Sequence, residues 1–433
     1  MKLSQSILPL ILIITCITSC IQVNNPYTKL PPGQWRGILK ITDPNAAPPT
    51  PGLSEADQKI IDYFELPFNL EVEYVDEAMN VYLVNGTEKI PVENIHFERD
   101  NTSAKDTLLL DFTAFDTRIN AFYEENFIEG YWNVNYKEGY TIPVLIQYGQ
   151  KHRFIDYDVA DTYDFGGEWD VIFEFDDPEN SYPAVGEFQQ EGNKLSGTFL
   201  TETGDYRYLD GNAYGDKLRL SVFDGAHAFL FSGSVSQDTI YGEFRSGKHY
   251  KCNWIATKKS KDSSLQDPYN MTKAIGNRPV DFQYKNSEGQ LVSINDPQYQ
   301  GKNKLINIMG TWCPNCRDEA NYLKKIKATY PEIEIFSLSF ERYKDESKSI
   351  AAIKKYKNSM AIDWPILHAG YANKKENSEA LSFLDTIYSY PTLIIVDKEN
   401  QILDIHTGFN GPATSKFKSF DNSFRKKMDK LME

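Results

Sequence analysis

The sequence predicts a multidomain chain, with an all-β N-terminal region of two small antiparallel barrels followed by an α/β domain. Three observations carry this. From Trp35 to about Thr257 the chain is rich in Tyr, Phe, Val and Leu, with turn signals at short intervals and no helical pattern. A stretch from 258 to 276, beginning "KKSKDSSLQDPYN", loses periodicity and gains Lys, Ser, Asp and Pro, as a linker does. From Val280 onward, short apolar runs alternate with helical patterns, which means a sheet covered on both faces.

In the β-rich region, Asn85-Gly86 lies between "VYLV" and "TEKIPV", and Gly192-Asn193 between "GEFQQE" and "KLSGTFL". Both are hairpin signals, because these residues accept the positive φ that tight turns require. Strand alternation runs through Trp169-Val171-Phe173-Phe175 and through Tyr250-Cys252-Trp254-Ala256. The region also repeats itself. "GQWRGILKI" at Gly33 is echoed by "GEWDVIFEF" at Gly167, "LLLDFTAFD" before Asp116 by "LRLSVFD" before Asp224, and "IEGYW" at Ile128 by "IYGEF" at Ile240. We therefore expect a duplicated module, at 34–160 and 161–257, resembling a pair of calycin-like barrels in pattern. In the C-terminal region (277–433), "KLINIM", "EIEIFSLSF", "PTLIIVD" and "QILDIHTGF" read as strands. Cys316 to Tyr330, "DESKSIAAIKKYK" and Phe417 to Met432 read as helices.

At 433 residues the chain is too long for one ordinary domain. Its formal charge of −15 argues against nucleic acid and anionic lipid headgroups as partners. The start, Lys2 followed by "ILPLILIITCIT" and ending at Ser19-Cys20, has the charged, apolar and small-residue parts of a secretory signal over 1–19. "ITSC" resembles the lipobox of bacterial lipoproteins. That resemblance implies lipid on Cys20, a tether over 20–33, and a cell-envelope location. Ile21 in place of Asp favours the outer membrane, facing the periplasm.

Of five cysteines, Cys16 would leave with the signal and Cys20 would carry lipid, leaving Cys252, Cys313 and Cys316. Cys252 alternates with Tyr250 and Trp254 and reads as a small apolar residue facing a β-core. Cys313 and Cys316, in "IMGTWCPNCRDE", admit three readings. Zinc needs four ligands, and no second C-x-x-C or suitably spaced histidine exists, so no metal is expected. A static bridge over two intervening residues closes too small a loop to stabilise much. A redox pair has a mechanism: a cysteine at a strand-to-helix junction meets unsatisfied N–H groups that favour thiolate, and the next turn brings the second cysteine within reach. C-x-x-C in this context signals a redox dithiol. His406 reads as a packing or surface residue.

"NIMGTWCPNCRDE" with "SYPTLIIVD" resembles the thioredoxin superfamily, in particular the TlpA/ResA type of membrane-tethered thiol-disulfide oxidoreductases, over roughly residues 275 to 433. The resemblance implies a thioredoxin fold with no cofactor. It makes Cys313 the nucleophile, Cys316 the resolving thiol, and the two a redox disulfide, with Trp312 packed beside them. Pro391, between Tyr390 and Thr392, would be a cis-proline whose loop pairs with an extended substrate strand. Glu319 matches an acidic position that affects thiol ionisation, against an ordinary helix-start role. Asn307 stands where cytosolic thioredoxins carry a buried Asp. The family's helix proline is missing, since Ala320-Asn321-Tyr322 follow Glu319, so a kink there is not assured. The implied partners are disulfide-bearing exported proteins and an electron donor. Two alternatives remain. One is a peroxiredoxin-like peroxidase, for which Thr311 is present but no proline lies between Lys302 and Cys313. The other is a binding lipoprotein in which the redox domain is accessory.

Overall fold

The computed structural model describes residues 29–41, 65–260, 264–373, 377 and 380–433. The signal, Cys20 and most of the tether lie outside these residues. Among the described residues, no helix is long and apolar enough to cross a membrane.

The first module is one antiparallel meander of nine strands: β1 (Gly33–Lys40), β2 (Glu65–Val75), β3 (Ala78–Asn85), β4 (Glu88–Pro91), β5 (Asn94–Asp100), β6 (Lys105–Phe112), β7 (Thr117–Glu124), β8 (Phe127–Val134) and β9 (Thr141–Tyr148). Their order is β4-β3-β2-β1-β9-β8-β7-β6-β5, so the first strand pairs with the last and the barrel stays open between β4 and β5. The second module comprises β10 (Gly167–Phe173), β11 (Tyr182–Glu191), β12 (Lys194–Thr201), the two-residue β13 (Gly204–Asp205), β14 (Leu209–Tyr214), β15 (Lys217–Phe223), β16 (Ala228–Ser236), β17 (Thr239–Ser246) and β18 (Tyr250–Lys258). Here β10 pairs with both β11 and β18, and β11 with β12, so the meander closes. Both hairpins signalled by glycine turns form, at β3–β4 and β11–β12.

The two modules share inward devices as well as order. Trp35 and Trp169 are both buried on the first strand, and each indole N–H donates to the carbonyl four residues back, Pro31 at 3.2 Å and Phe165 at 2.7 Å. Gly130 and Gly242 occupy matching places in "IEGYW" and "IYGEF", where a Cβ would overlap the Ala121 backbone and the Trp254 indole respectively. The repeat spacing drifts because the β1–β2 connection is much longer than the β10–β11 connection. Trp169, Phe173, Phe199, Phe231, Phe244 and Trp254 fill the closed barrel, as expected where eight strands leave room only for side chains. The strand from Trp169 stops at Phe173, leaving Phe175 exposed. Cys252 sits half-buried at the edge of this core.

The modules also share a core. Phe223, Ala226, Ala228 and Leu230 of the second pack into the interior of the first, where the Phe223 ring meets Phe68 at 4.8 Å and Trp132 at 5.2 Å.

Among the described residues the C-terminal domain has a seven-stranded sheet and three long helices: β19 (Gln283–Asn286), β20 (Leu291–Ser293), β21 (Lys304–Met309), α1 (Pro314–Thr329), β22 (Glu334–Glu341), α2 (Glu346–Ser359), β23 (Ile366–Tyr371), β24 (Thr392–Val396), β25 (Ile402–Thr407) and α3 (Phe417–Met432). Strand order is β20-β19-β23-β22-β21-β24-β25, with β21, β22 and β23 parallel and β24 and β25 antiparallel. This is the thioredoxin-like arrangement. All of β21 is buried because both its faces are covered. Leu305 and Met309 face the helices, and Ile306 and Ile308 face Leu381, Leu384 and Ile387. His406 is a packing residue: its Nδ1 lies 3.0 Å from the Gly408 carbonyl, and its ring lies 4.9 Å from Tyr269 and 4.7 Å from Phe420.

Candidate active site

The end of β21 delivers the chain through Gly310-Thr311-Trp312 to Cys313, which is the N-cap of α1. Proline at the first helical position, Pro314, lacks only an N–H that would have no helical partner there. The Cys313 Sγ accepts the Cys316 N–H at 3.3 Å, and its S–H donates to the Tyr390 carbonyl at 3.6 Å. Cys313 is 6 % exposed and Cys316 is fully buried; neither is in a disulfide in this structure. Burial, then the hydrogen bond with Cys313, push the Cys316 thiol well above the usual range.

The other residues expected in the site surround this pair. The Tyr390–Pro391 peptide is cis. Thr392 is buried and its Oγ1 donates to the Ser389 carbonyl at 2.9 Å. The Trp312 indole donates to the Phe340 carbonyl at 2.9 Å and meets the Tyr390 ring edge-on at 5.6 Å. Helix α1 runs unbroken past Ala320-Asn321-Tyr322, where Tyr322 packs among Phe409, Phe420 and Phe424. Glu319 lies on the buried face of α1 with both carboxyl oxygens lacking any partner among the described residues. Burial, and then the nearby Cys313, hold it well above the usual carboxylate range, which favours its protonated form. Asn307, on the helix-facing side of β21, is also fully buried with its amide unpartnered.

Several residues here escaped sequence reasoning. Glu341, at the end of β22, is buried and accepts both the N–H and the hydroxyl of Thr311, at 3.2 and 2.7 Å, as well as the Ser339 hydroxyl. Burial outweighs these bonds and raises its carboxyl. The Arg342 guanidinium covers the Trp312 ring at 3.9 Å. More unexpectedly, the second barrel reaches the dithiol. Arg207, fully buried, pairs with Asp318 of α1, Glu88 of the first module and Asp224 of its own, and donates to the Pro314 carbonyl at 3.3 Å. A buried arginine needs partners that satisfy its fork. The only signal for this was the phrase "TGDYRYLDG", which has charge without periodicity.

Residues 274–423 match the family model described as Redoxin. The C-terminal domain is a Redoxin domain. It is of the thiol-disulfide oxidoreductase kind, as its relatives indicate. Thioredoxin-like protein YneN of Bacillus subtilis is 28% identical over 134 residues, 31% of this chain and 71% of the relative. Thiol-disulfide oxidoreductase ResA of Halalkalibacterium halodurans is 23% identical over 137 residues, 31% of this chain and 68% of the relative. Thiol:disulfide interchange protein DsbE of Escherichia coli K12 is 26% identical over 157 residues, 35% of this chain and 76% of the relative. Each match spans about a third of this chain.

Proposed function

We propose that the chain reduces disulfides in exported proteins, with Cys313 as nucleophile and Cys316 as resolving thiol. The observation that carries this is the Cys313 Sγ at the α1 N-terminus, hydrogen-bonded to the Cys316 N–H and facing the Tyr390 carbonyl. The Cys313 thiolate attacks one sulfur of a substrate disulfide, forming a mixed disulfide and releasing the other sulfur as a thiolate that takes up a proton. Cys316, deprotonated, then attacks Cys313 Sγ, releases the second substrate thiol and closes the Cys313–Cys316 disulfide. Two electrons pass to the substrate, and an electron donor restores the dithiol. In its carboxylate form Glu319, its proton affinity raised by burial and by the nearby Cys313, would accept the proton that Cys316 must lose. Lipid on Cys20 would hold the body at a membrane surface of the cell envelope, with 20–33 as the tether.

The test uses Cys316→Ser, which keeps the nucleophile and removes its escape. In its own cell envelope this variant should accumulate reducible mixed disulfides with partner proteins, whereas Cys313→Ser should accumulate none. Reduction of insulin disulfides should require both cysteines, and equal trapping by the two variants would sink the assignment of roles. Mass spectrometry of the mature N-terminus reads the anchor separately: an acylated Cys20 is expected, and an unmodified start elsewhere would refute it.

A further inference from the structure

We propose that the segment Thr203–Arg207 of the second barrel determines which disulfides reach Cys313, because it occupies the surface on which an extended polypeptide would lie. The inference rests on the Cys313–Cys316 reading above and assigns that site its access control.

Three pieces of the Redoxin domain converge around Cys313, and the segment touches all of them. In the turn between the cysteines, the Asn315 side-chain amide donates to the Asp205 carbonyl at 3.2 Å, and Gly204 lies so close that a Cβ there would overlap the Asn315 amide nitrogen. In the loop before Pro391, the Ser389 hydroxyl donates to the Thr203 carbonyl at 2.8 Å. After β25, a Cβ on Gly408 would stand 2.6 Å from the Thr203 carbonyl oxygen, and the Gly411 N–H donates to the Asp205 carboxylate at 2.7 Å. The Gly408 N–H donates to the Pro391 carbonyl at 2.8 Å, tying the last two pieces together. The carbonyls of Thr203, in a turn, and of Asp205, in the two-residue β13, thus already take donors beside the cis-proline and the dithiol, as those of a substrate strand would.

Cys313 is only 6 % exposed and the segment is bonded to the turn and loop on either side of it, so attack on a disulfide held in a folded protein requires the segment to move. Its contacts permit this. From Thr203 to Asp205 they are hydrogen bonds, each exchanged for a bond to water at small net cost, with no large apolar side chain inserted into the Redoxin core. A substrate strand that makes equivalent bonds replaces them directly. Tyr206, packed among Phe173, Phe229 and Phe244, and Arg207, held by three carboxylates, are the fixed end from which residues 203–205 move.

The test uses the full chain. Gly204→Ala and Gly408→Ala push a methyl group into the contact from its two opposite sides, and neither residue bears a reacting group. Both variants should reduce insulin several-fold faster than the parent. Alkylation of Cys313 by a polymer-bearing maleimide should rise with it, more than alkylation by iodoacetamide. Unchanged rates in folded variants would overturn the proposal. Should either fold poorly, hydrogen exchange on Cys316→Ser provides an independent reading. With a cysteine peptide trapped on Cys313, amides 203–205 should lose protection, and retained protection would refute displacement. A thiol redox titration separates the two layers of argument. If Cys313 and Cys316 never form an intramolecular disulfide, the redox reading falls and takes this one with it. If the disulfide forms normally while rates and protection stay fixed, the access role alone is wrong.

Discussion

Glu319 presents two buried carboxyl oxygens with no partner among the described residues, next to a dithiol. An ionised carboxylate there would be costly, so burial raises the carboxyl and favours the protonated form. The folded pKa lies above the unfolded value of about 4.5, so the native state binds a proton that the unfolded chain releases. Stability from this group is fully present below about pH 4.5 and is lost as the pH rises toward the folded value. Glu319→Gln keeps the shape and neutrality without that dependence. Melting temperature followed from about pH 5 to pH 8 should fall more steeply in the parent than in the variant. The pH–rate profile of insulin reduction should shift as well, because a titrating group beside coupled thiols alters both macroscopic values. Parallel melting curves and an unmoved profile would return Glu319 to an ordinary helix-start residue. The sequence offered Glu319 only through resemblance, and gave no hint of Glu341. A carboxylate ending "SLSFE" reads as a polar strand end, and Thr311, weighed as a peroxidase marker, instead donates twice to it.

Elements were legible wherever burial alone sets the pattern. "KLINIM" is β21 to the residue, since a strand covered on both faces is a plain apolar run bounded by polar turns. Helix α3 likewise spans Phe417–Met432 as read, because Phe420, Phe424 and Met428 repeat at helical spacing. The barrels were legible from alternation and turns, but not their closure. Whether β4 meets β5 depends on long-range packing that leaves no local periodic mark. The tight inner glycines show how specific that packing is. Gly242 lies in β17 against the Trp254 indole, with no room for a Cβ. Gly242→Ala should therefore destabilise the second barrel by about 1–3 kcal/mol through overpacking. Denaturant titration followed by tryptophan fluorescence reads this directly. An unchanged midpoint would mean that Trp254 is free to yield.

At the scale of the whole molecule, charged residues far apart in sequence join the β-half to the redox domain. Asp116, in the turn after β6, accepts from the Tyr343 hydroxyl and pairs with Lys355 at 3.2 Å. Its repeat counterpart Asp224 pairs with Arg207 at 3.3 Å, and Arg207 also holds Glu88 and Asp318. Asp116 thus grips the redox domain directly, whereas Asp224 steadies the Arg207 that grips it, a division no periodicity in "TAFD" or "SVFD" could announce. This junction carries its own pH dependence. Burial first, then the Asp318 and Asp224 charges, outweigh Arg207 and push the Glu88 carboxyl up to about 7. A raised carboxylate favours the docked form below its unfolded pKa of about 4.5, and that contribution is lost as the pH rises through about 7. Docking should then loosen between about pH 5 and pH 8, by up to about 3 kcal/mol from this group. Buried histidines act in the opposite sense, since burial lowers His406 to about 4 and its contribution is lost as the pH falls below about 6.5. Total stability therefore mixes both signs, and the informative quantity is a difference between variants. Glu88→Gln retains an acceptor for Arg207 and cannot ionise. Protease cleavage in the 258–276 connection, measured at both pH values, should accelerate with pH in the parent and much less in Glu88→Gln. Identical pH dependence in the two chains would show that Glu88 is ionised in the docked state and that the charge network is satisfied as drawn, without a proton.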